Sequence, residues 1–195
     1  MFIRKESFKQ FIKMYPVVTS IIGINMVVFI LANLPLISND LIISKMLGIN
    51  LYIKEGQLWR LLTPIFLHSS LIHFIFNTFA LIIFGPAIEQ MIKSFRFFLL
   101  YVVSGIAANL ITYFIQPLTY AHLGASGAIF GLLGFYLYLA LFNSTFLSKQ
   151  DVHMIKALTF IAFIMTFFQS NTNITAHISG YIIGFVLATV LSKKI

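Results

Sequence analysis

The sequence predicts an all-α membrane protein, a bundle of six transmembrane helices with a long outer loop between the first and second. Three observations point there. Of 195 residues, 59% are hydrophobic and only 9% charged, against roughly a quarter charged in a soluble domain. The charges are confined to short segments between apolar runs, and a membrane helix needs about 20 such residues. The basic residues also fall mostly on one side of the topology that those runs define. The absence of cysteine excludes disulfides, thiolate metal sites and a cysteine nucleophile. Eleven glycines, few charges and a high apolar fraction exclude collagen, coiled coil and disorder.

The chain from Met14 to Asn39 carries no formal charge, and Val17 to Leu34 reads as the first crossing. Arg4, Lys5, Lys9 and Lys13 could form the basic end of a signal peptide. The apolar run is long for such a peptide, however, and further membrane segments follow, so a retained helix is expected. Leu61 to Ile88 is the second charge-free run, with apolar density from Leu71 to around Glu89. The third run, Phe97 to Ser148, must hold two helices, because Gln116-Pro117-Leu118-Thr119-Tyr120 is a turn-forming interruption. They are expected at Phe97 to Ile115 and Gly124 to Phe142. The last run, Ala157 to Ser192, breaks at Gln169 to Asn173 and leaves a full-length helix from Ile174 to Leu191. The fifth helix, ending at Phe168, is expected to be short. It reaches the lower limit of a span only when extended back to Val152, with Lys156 snorkelling to the interface.

Six crossings put both termini on one side. That side carries Arg4, Lys5, Lys9, Lys13, Lys93, Arg96, Lys149, Lys156, Lys193 and Lys194, whereas the other holds Lys45, Lys54 and Arg60. The bias predicts cytoplasmic termini, with residues 1–16 as a cytoplasmic segment and 35–70 as the outer loop of a single membrane domain. Positive charge spread over short segments, without an aromatic-interleaved stripe, argues against nucleic-acid binding. The outer loop mixes Ile42, Ile43, Met46 and Leu47 with polar residues and sets Trp59 beside Arg60, a pattern suited to the membrane interface. Loops of this length are commonly functional.

In this topology the second, fourth and sixth helices all start at the outer face. Their first turns offer His73 and Asn77, Ser126, and His177 at a similar depth. His73 and Asn77 are four apart and share a face. Polar groups in a bilayer are costly and are functional candidates by default. Each also has a plainer reading. Gly127-x-x-x-Gly131 and Gly180-x-x-x-Gly184 are helix-packing spacings beside which Ser126 and His177 could be interhelical contacts. His68 and His122 could join His73 and His177 around a metal, but no HExxH, cysteine or nearby carboxylate supports that. No metal or cofactor is expected.

Gly124-Ala125-Ser126-Gly127-Ala128-Ile129-Phe130-Gly131 resembles the GxSGxxxG motif of rhomboid intramembrane serine proteases. Ala176-His177-Ile178-Ser179-Gly180-Tyr181-Ile182-Ile183-Gly184 resembles their AHxxGxxxG motif. His68-x4-His73-x3-Asn77, Trp59-Arg60 and Gly85-x-x-x-Glu89 are similar to further family signatures in the same order. Phe130 departs from the tyrosine that many members carry, losing a hydroxyl but keeping an aromatic face for His177. The resemblance implies a rhomboid-like bundle of the minimal six-helix bacterial type in the plasma membrane. It implies an endopeptidase cleaving transmembrane segments of other proteins within the lipid bilayer, with Ser126 as nucleophile and His177 as base. His73 and Asn77 would stabilise the oxyanion, and the fifth helix would serve as a lateral gate. No acidic residue lies near the outer helix ends, which fits a Ser-His dyad. The alternative within the family is a catalytically silent membrane-protein chaperone or binding factor, disfavoured because Ser126 and His177 are both present. A solute transporter would call for mid-membrane charges or broken-helix repeats, and the sequence has neither.

Overall fold

The computed structural model describes residues 6–33, 39–142, 147–168 and 172–192. A short basic helix, α1 (Phe8–Met14), leads into the bundle of α2 (Pro16–Asn33), α5 (Leu71–Ile92), α6 (Ser94–Ile115), α7 (Ser126–Phe142), α8 (Lys149–Phe168) and α9 (Ile174–Leu191). Between α2 and α5 lie α3 (Asn39–Met46), α4 (Asn50–Lys54) and two 3-10 turns, Leu58–Leu61 and Thr63–Phe66. Among the described residues, five helices are long and apolar enough to cross a membrane, and α7 is a shorter apolar one. The chain is therefore an all-α, multi-pass membrane bundle.

The fifth crossing is a correction. It is not short: α8 runs 20 residues, from Lys149 and not from Val152, and α7 only 17. Hydropathy passes over the start of α8 because a polar capping pair sets it. The Ser148 hydroxyl accepts from the Asp151 amide at 3.1 Å, and the Asp151 carboxylate accepts from the Ser148 amide at 3.2 Å and its hydroxyl at 2.7 Å. This reciprocal cap satisfies amides that the first turn would otherwise leave unpaired.

The central helix is α7, apolar throughout and buried from Gly127 to Tyr136. At about 26 Å it falls short of the roughly 30 Å hydrocarbon core. Its closest packing is against α9 and then α6. A Cβ on Gly180 would strike the Gly127 carbonyl, and one on Gly184 the Gly131 carbonyl. Only glycine lets the two backbones approach this closely. On the α5 side, the Tyr136 hydroxyl donates to the Phe84 carbonyl at 2.8 Å.

The outer loop is held by hydrogen bonds to backbone. Arg60, buried, donates to the carbonyls of Ser44 (2.7 Å) and Leu47 (2.6 Å) and to Gln57 Oε1 (2.7 Å), while Trp59 Nε1 donates to the Lys45 carbonyl (3.1 Å). Together they cap the carbonyl end of α3, where a cation also suits the helix dipole. A two-residue strand, β1 (Gly48–Ile49), pairs antiparallel with β2 (Ala121–His122), and the Gly124 amide donates to the Pro64 carbonyl at 2.8 Å. The loop is thereby tied to the segment that leads into Ser126.

At the opposite end of the bundle, the buried Glu89 carboxylate accepts from the amides of Val17 and Val18 (2.9 Å each) and from the Ser94 hydroxyl (2.7 Å). It thus closes the N-terminus of α2 just after Pro16, and it also holds the first residue of α6. Removing it leaves one buried donor, the Val18 amide, and two half-buried ones, the Val17 amide and the Ser94 hydroxyl, without this acceptor; an unpaired buried donor costs about 1–3 kcal/mol. Glu89→Ala should lower the melting temperature in detergent, with a loss of at least about 2 kcal/mol, and Glu89→Gln should lose less because it keeps one acceptor. Equal melting temperatures for wild type and Glu89→Ala would refute this role.

Candidate active site

The α7–α9 contact brings together two of the sequence-predicted residues. His177, buried on the first turn of α9, has its Nε2 at 2.7 Å from Ser126 Oγ at the start of α7. Phe130, one helical turn along α7, stacks on the imidazole with centroids 4.2 Å apart and planes at 15°. The aromatic face expected at this position is in contact with His177. On the opposite edge of the ring, Nδ1 lies 2.8 Å from Thr166 Oγ1 of α8.

The start of α9 is fixed from α6. The Asn173 side chain caps the helix by accepting from the Ala176 amide at 3.0 Å, and its amide nitrogen donates to Thr112 Oγ1 at 3.1 Å. Gln116 Nε2 donates to Thr175 Oγ1 at 2.9 Å. His177 therefore sits one turn past an anchored cap.

Gly124, two residues before Ser126, has φ of +119°, a conformation that a side chain would strain. A Cβ there would also come within 2.8 Å of the His73 ring, so His73 of α5 flanks the approach to Ser126. The amide of His73 is capped by Ser70 Oγ at 3.2 Å, and its Nδ1 lies 3.2 Å from Ser69 Oγ. Asn77 is buried one turn further on and donates to the His73 carbonyl at 3.0 Å. Gly127 and Gly131 lie against Ala108 and Ser104 of α6 as well as against α9, so α7 is close-packed on both sides.

The other two histidines are placed differently. His68 packs edge-on to His73 at 5.1 Å, while His122, in β2, is buried and stacks on Tyr120. Among the described residues, no three of His, Cys, Asp and Glu are grouped so as to hold a metal ion. Burial pulls both His68 and His122 down to about 4, with the nearby His73 adding to the shift at His68.

Sequence reasoning passed over Thr166, Thr112 and Asn173. For the two threonines the signal was a hydroxyl in an otherwise apolar helix, which most often bonds back to its own backbone, and for Asn173 it was an asparagine just before an apolar run, an ordinary N-cap signature.

The fold and site define a class: a polytopic membrane bundle with a serine and a histidine in hydrogen-bond contact at the start of two close-packed helices. The rhomboid domain family model matches residues 55–194. The chain is 43% identical over 194 residues to YdcA of Bacillus subtilis, a protein named as a candidate rhomboid protease, covering all of this chain and 98% of that one. It is 42% identical to the rhomboid protease GluP of the same organism over 73% of this chain and 28% of GluP. It is 36% identical to RHOMBOID-like protein 2 of Arabidopsis thaliana over 71% of this chain and 44% of that protein. The protein belongs to the rhomboid family.

The two low-pKa histidines set a pH dependence of stability. An unfolded histidine binds a proton below about 6.5, whereas these stay neutral in the fold until about 4. Between those values the unfolded state holds more protons, so stability is full above 6.5 and falls as pH drops towards 4. The melting temperature should decline from pH 7 to 4.5, and less steeply in His122→Gln. A flat profile across that window would contradict the neutral burial of these rings.

Proposed function

We propose that this protein is an intramembrane serine endopeptidase that cleaves membrane segments of other proteins with a Ser126–His177 dyad. The observation that carries the reading is the 2.7 Å contact between His177 Nε2 and Ser126 Oγ, within hydrogen-bond reach for proton transfer. Ser126 Oγ attacks the scissile carbonyl carbon while its proton passes to His177 Nε2. The tetrahedral intermediate then collapses, the C–N bond breaks, and His177 returns the proton to the leaving amine. Water, deprotonated by His177, attacks the resulting ester, releasing the carboxyl product and restoring the serine.

The oxyanion needs donors. The first amides of α7 have no partner within the helix, and the positive end of the helix dipole favours negative charge there. In the rhomboid reading, His73 and Asn77 supplement them, and the placement of the His73 ring beside Gly124 supports this. A lost donor of this kind costs about 10²–10³ in kcat.

A helical peptide bond is shielded by its own hydrogen bonds, so the substrate unwinds near the site, most easily at glycine or another helix-breaking residue. Membrane-embedded segments are the fitting substrate class for a Ser–His pair carried at the start of two apolar bundle helices.

Orientation follows from charge: the termini face the cytoplasm and the loop through Trp59 and Arg60 faces out. An engineered Lys54→Cys should be labelled by an impermeant thiol reagent on intact cells, and labelling only after permeabilisation would overturn the topology. For the dyad, Ser126→Ala and His177→Ala should each cut cleavage of a membrane-embedded reporter by about 10⁴-fold or more. Melting temperatures should stay near wild type. Undiminished cleavage by either variant excludes the mechanism, and inhibition by a chelator, reversed by zinc, would favour metal chemistry instead.

A further inference from the structure

We infer that Thr166 on α8 is a positioning residue that fixes the tautomer and rotation of the His177 ring, so that the base is armed only while α8 is seated. The inference rests on the dyad reading above and extends it to a residue outside the motifs.

Hydrogen counting carries it. A threonine hydroxyl has one proton, and the Ala162 carbonyl, 2.8 Å away and one turn back in α8, is placed to take it. The Thr166 oxygen can then only accept from His177 Nδ1 at 2.8 Å, which requires Nδ1 to carry the hydrogen. A neutral imidazole has a single N–H, so Nε2 presents a lone pair to Ser126 Oγ at 2.7 Å. This is the tautomer that accepts the serine proton.

Rotation is set by the same bonds. The stack on Phe130 fixes the plane of the ring but allows the 180° flip about the Cβ–Cγ bond, which keeps that plane and exchanges the nitrogen and carbon positions. Hydrogen bonds at opposite edges, to Thr166 and to Ser126, remove that freedom. A neutral hydroxyl thus does the orienting that a carboxylate does in a catalytic triad.

The bond reaches His177 from a sparsely held helix. Within α8 only Asp151, Ile155 and Thr166 are buried, and the first two lie towards the far end. Near the site α8 is seated by Thr166 and by Phe163, whose ring meets Phe130 at 5.2 Å and Tyr181 at 5.1 Å. Moving this end of α8 outward removes the acceptor from Nδ1, and the imidazole loses both its tautomer preference and its register. Reactivity is thereby linked to the position of α8.

The test compares wild type, Thr166→Val and Thr166→Ser, with histidine nitrogens followed by ¹⁵N NMR and cleavage resolved into kcat and KM. The wild-type His177 should carry its hydrogen on Nδ1. Thr166→Val should show mixed tautomers and a kcat lower by roughly ten- to a hundredfold with little change in KM. Thr166→Ser should restore both the tautomer and the rate. Wild-type kcat in a folded Thr166→Val, with only its melting temperature lowered, would overturn the inference and leave Thr166 as interhelical glue. So would a wild-type His177 protonated on Nε2, a measurement on the unaltered protein that decides the matter even if Thr166→Val fails to fold. Continued cleavage by Ser126→Ala would instead defeat the dyad reading, and the wild-type tautomer would still decide the bond.

Discussion

The rest of the structure depends on how closely α7 and α9 approach one another. Gly180 and Gly184 present bare Cα atoms to the carbonyls of Gly127 and Gly131, and side chains there would force the helices apart. Each helix begins with one half of the proposed dyad. The packing distance set by the glycines is therefore also the distance between Ser126 and His177. In lipid, where apolar side chains gain little from leaving one another, such small-residue contacts are a main source of helix association. A single feature of the sequence thus serves both cohesion and chemistry.

Around that contact, backbone groups at helix ends are satisfied by a few side chains. Arg60 and Trp59 close the carbonyl end of α3, Glu89 closes the amide end of α2, and Asn173 closes that of α9. These ties form a mechanical sequence. The 3-10 turns after Arg60 hold Gly124 through the Pro64 carbonyl, and Gly124 leads into Ser126. The end of α6 holds Asn173, which leads into His177. The Ser126 and His177 side chains are positioned by loops that the bundle anchors at both sides, and in the proposed dyad the rate would be sensitive to small displacements.

Much of this was legible because membrane spans are written in charge-free length. The runs ending at Asn33, Ile92, Ile115, Phe142 and Leu191 end close to where hydropathy puts them. The start of α8 was not, since its Ser148–Asp151 cap lies among polar residues that hydropathy reads as loop. Ser126 and His177 stood out because polar groups at one depth on three helices are hard to explain by packing alone. Thr166 did not stand out. Its bond back to Ala162 is what threonine ordinarily does in an apolar helix, and only the second contact of the same oxygen, with His177, gives it another role. The pairing of β1 with β2 was equally hidden, because two residues carry no periodicity and their register depends on Gly48 lying against His122.

The central claim is that helix packing sets the reactivity of one serine. The most direct measurement is the rate of covalent modification by a fluorophosphonate, with the modified residue located by peptide mass spectrometry, in wild type and in a folded Gly180→Val variant. The account predicts an adduct on Ser126, formed about a hundredfold more slowly once valine separates α9 from α7 by an ångström or so. An adduct on a different residue, or an unchanged rate in the folded variant, would contradict it.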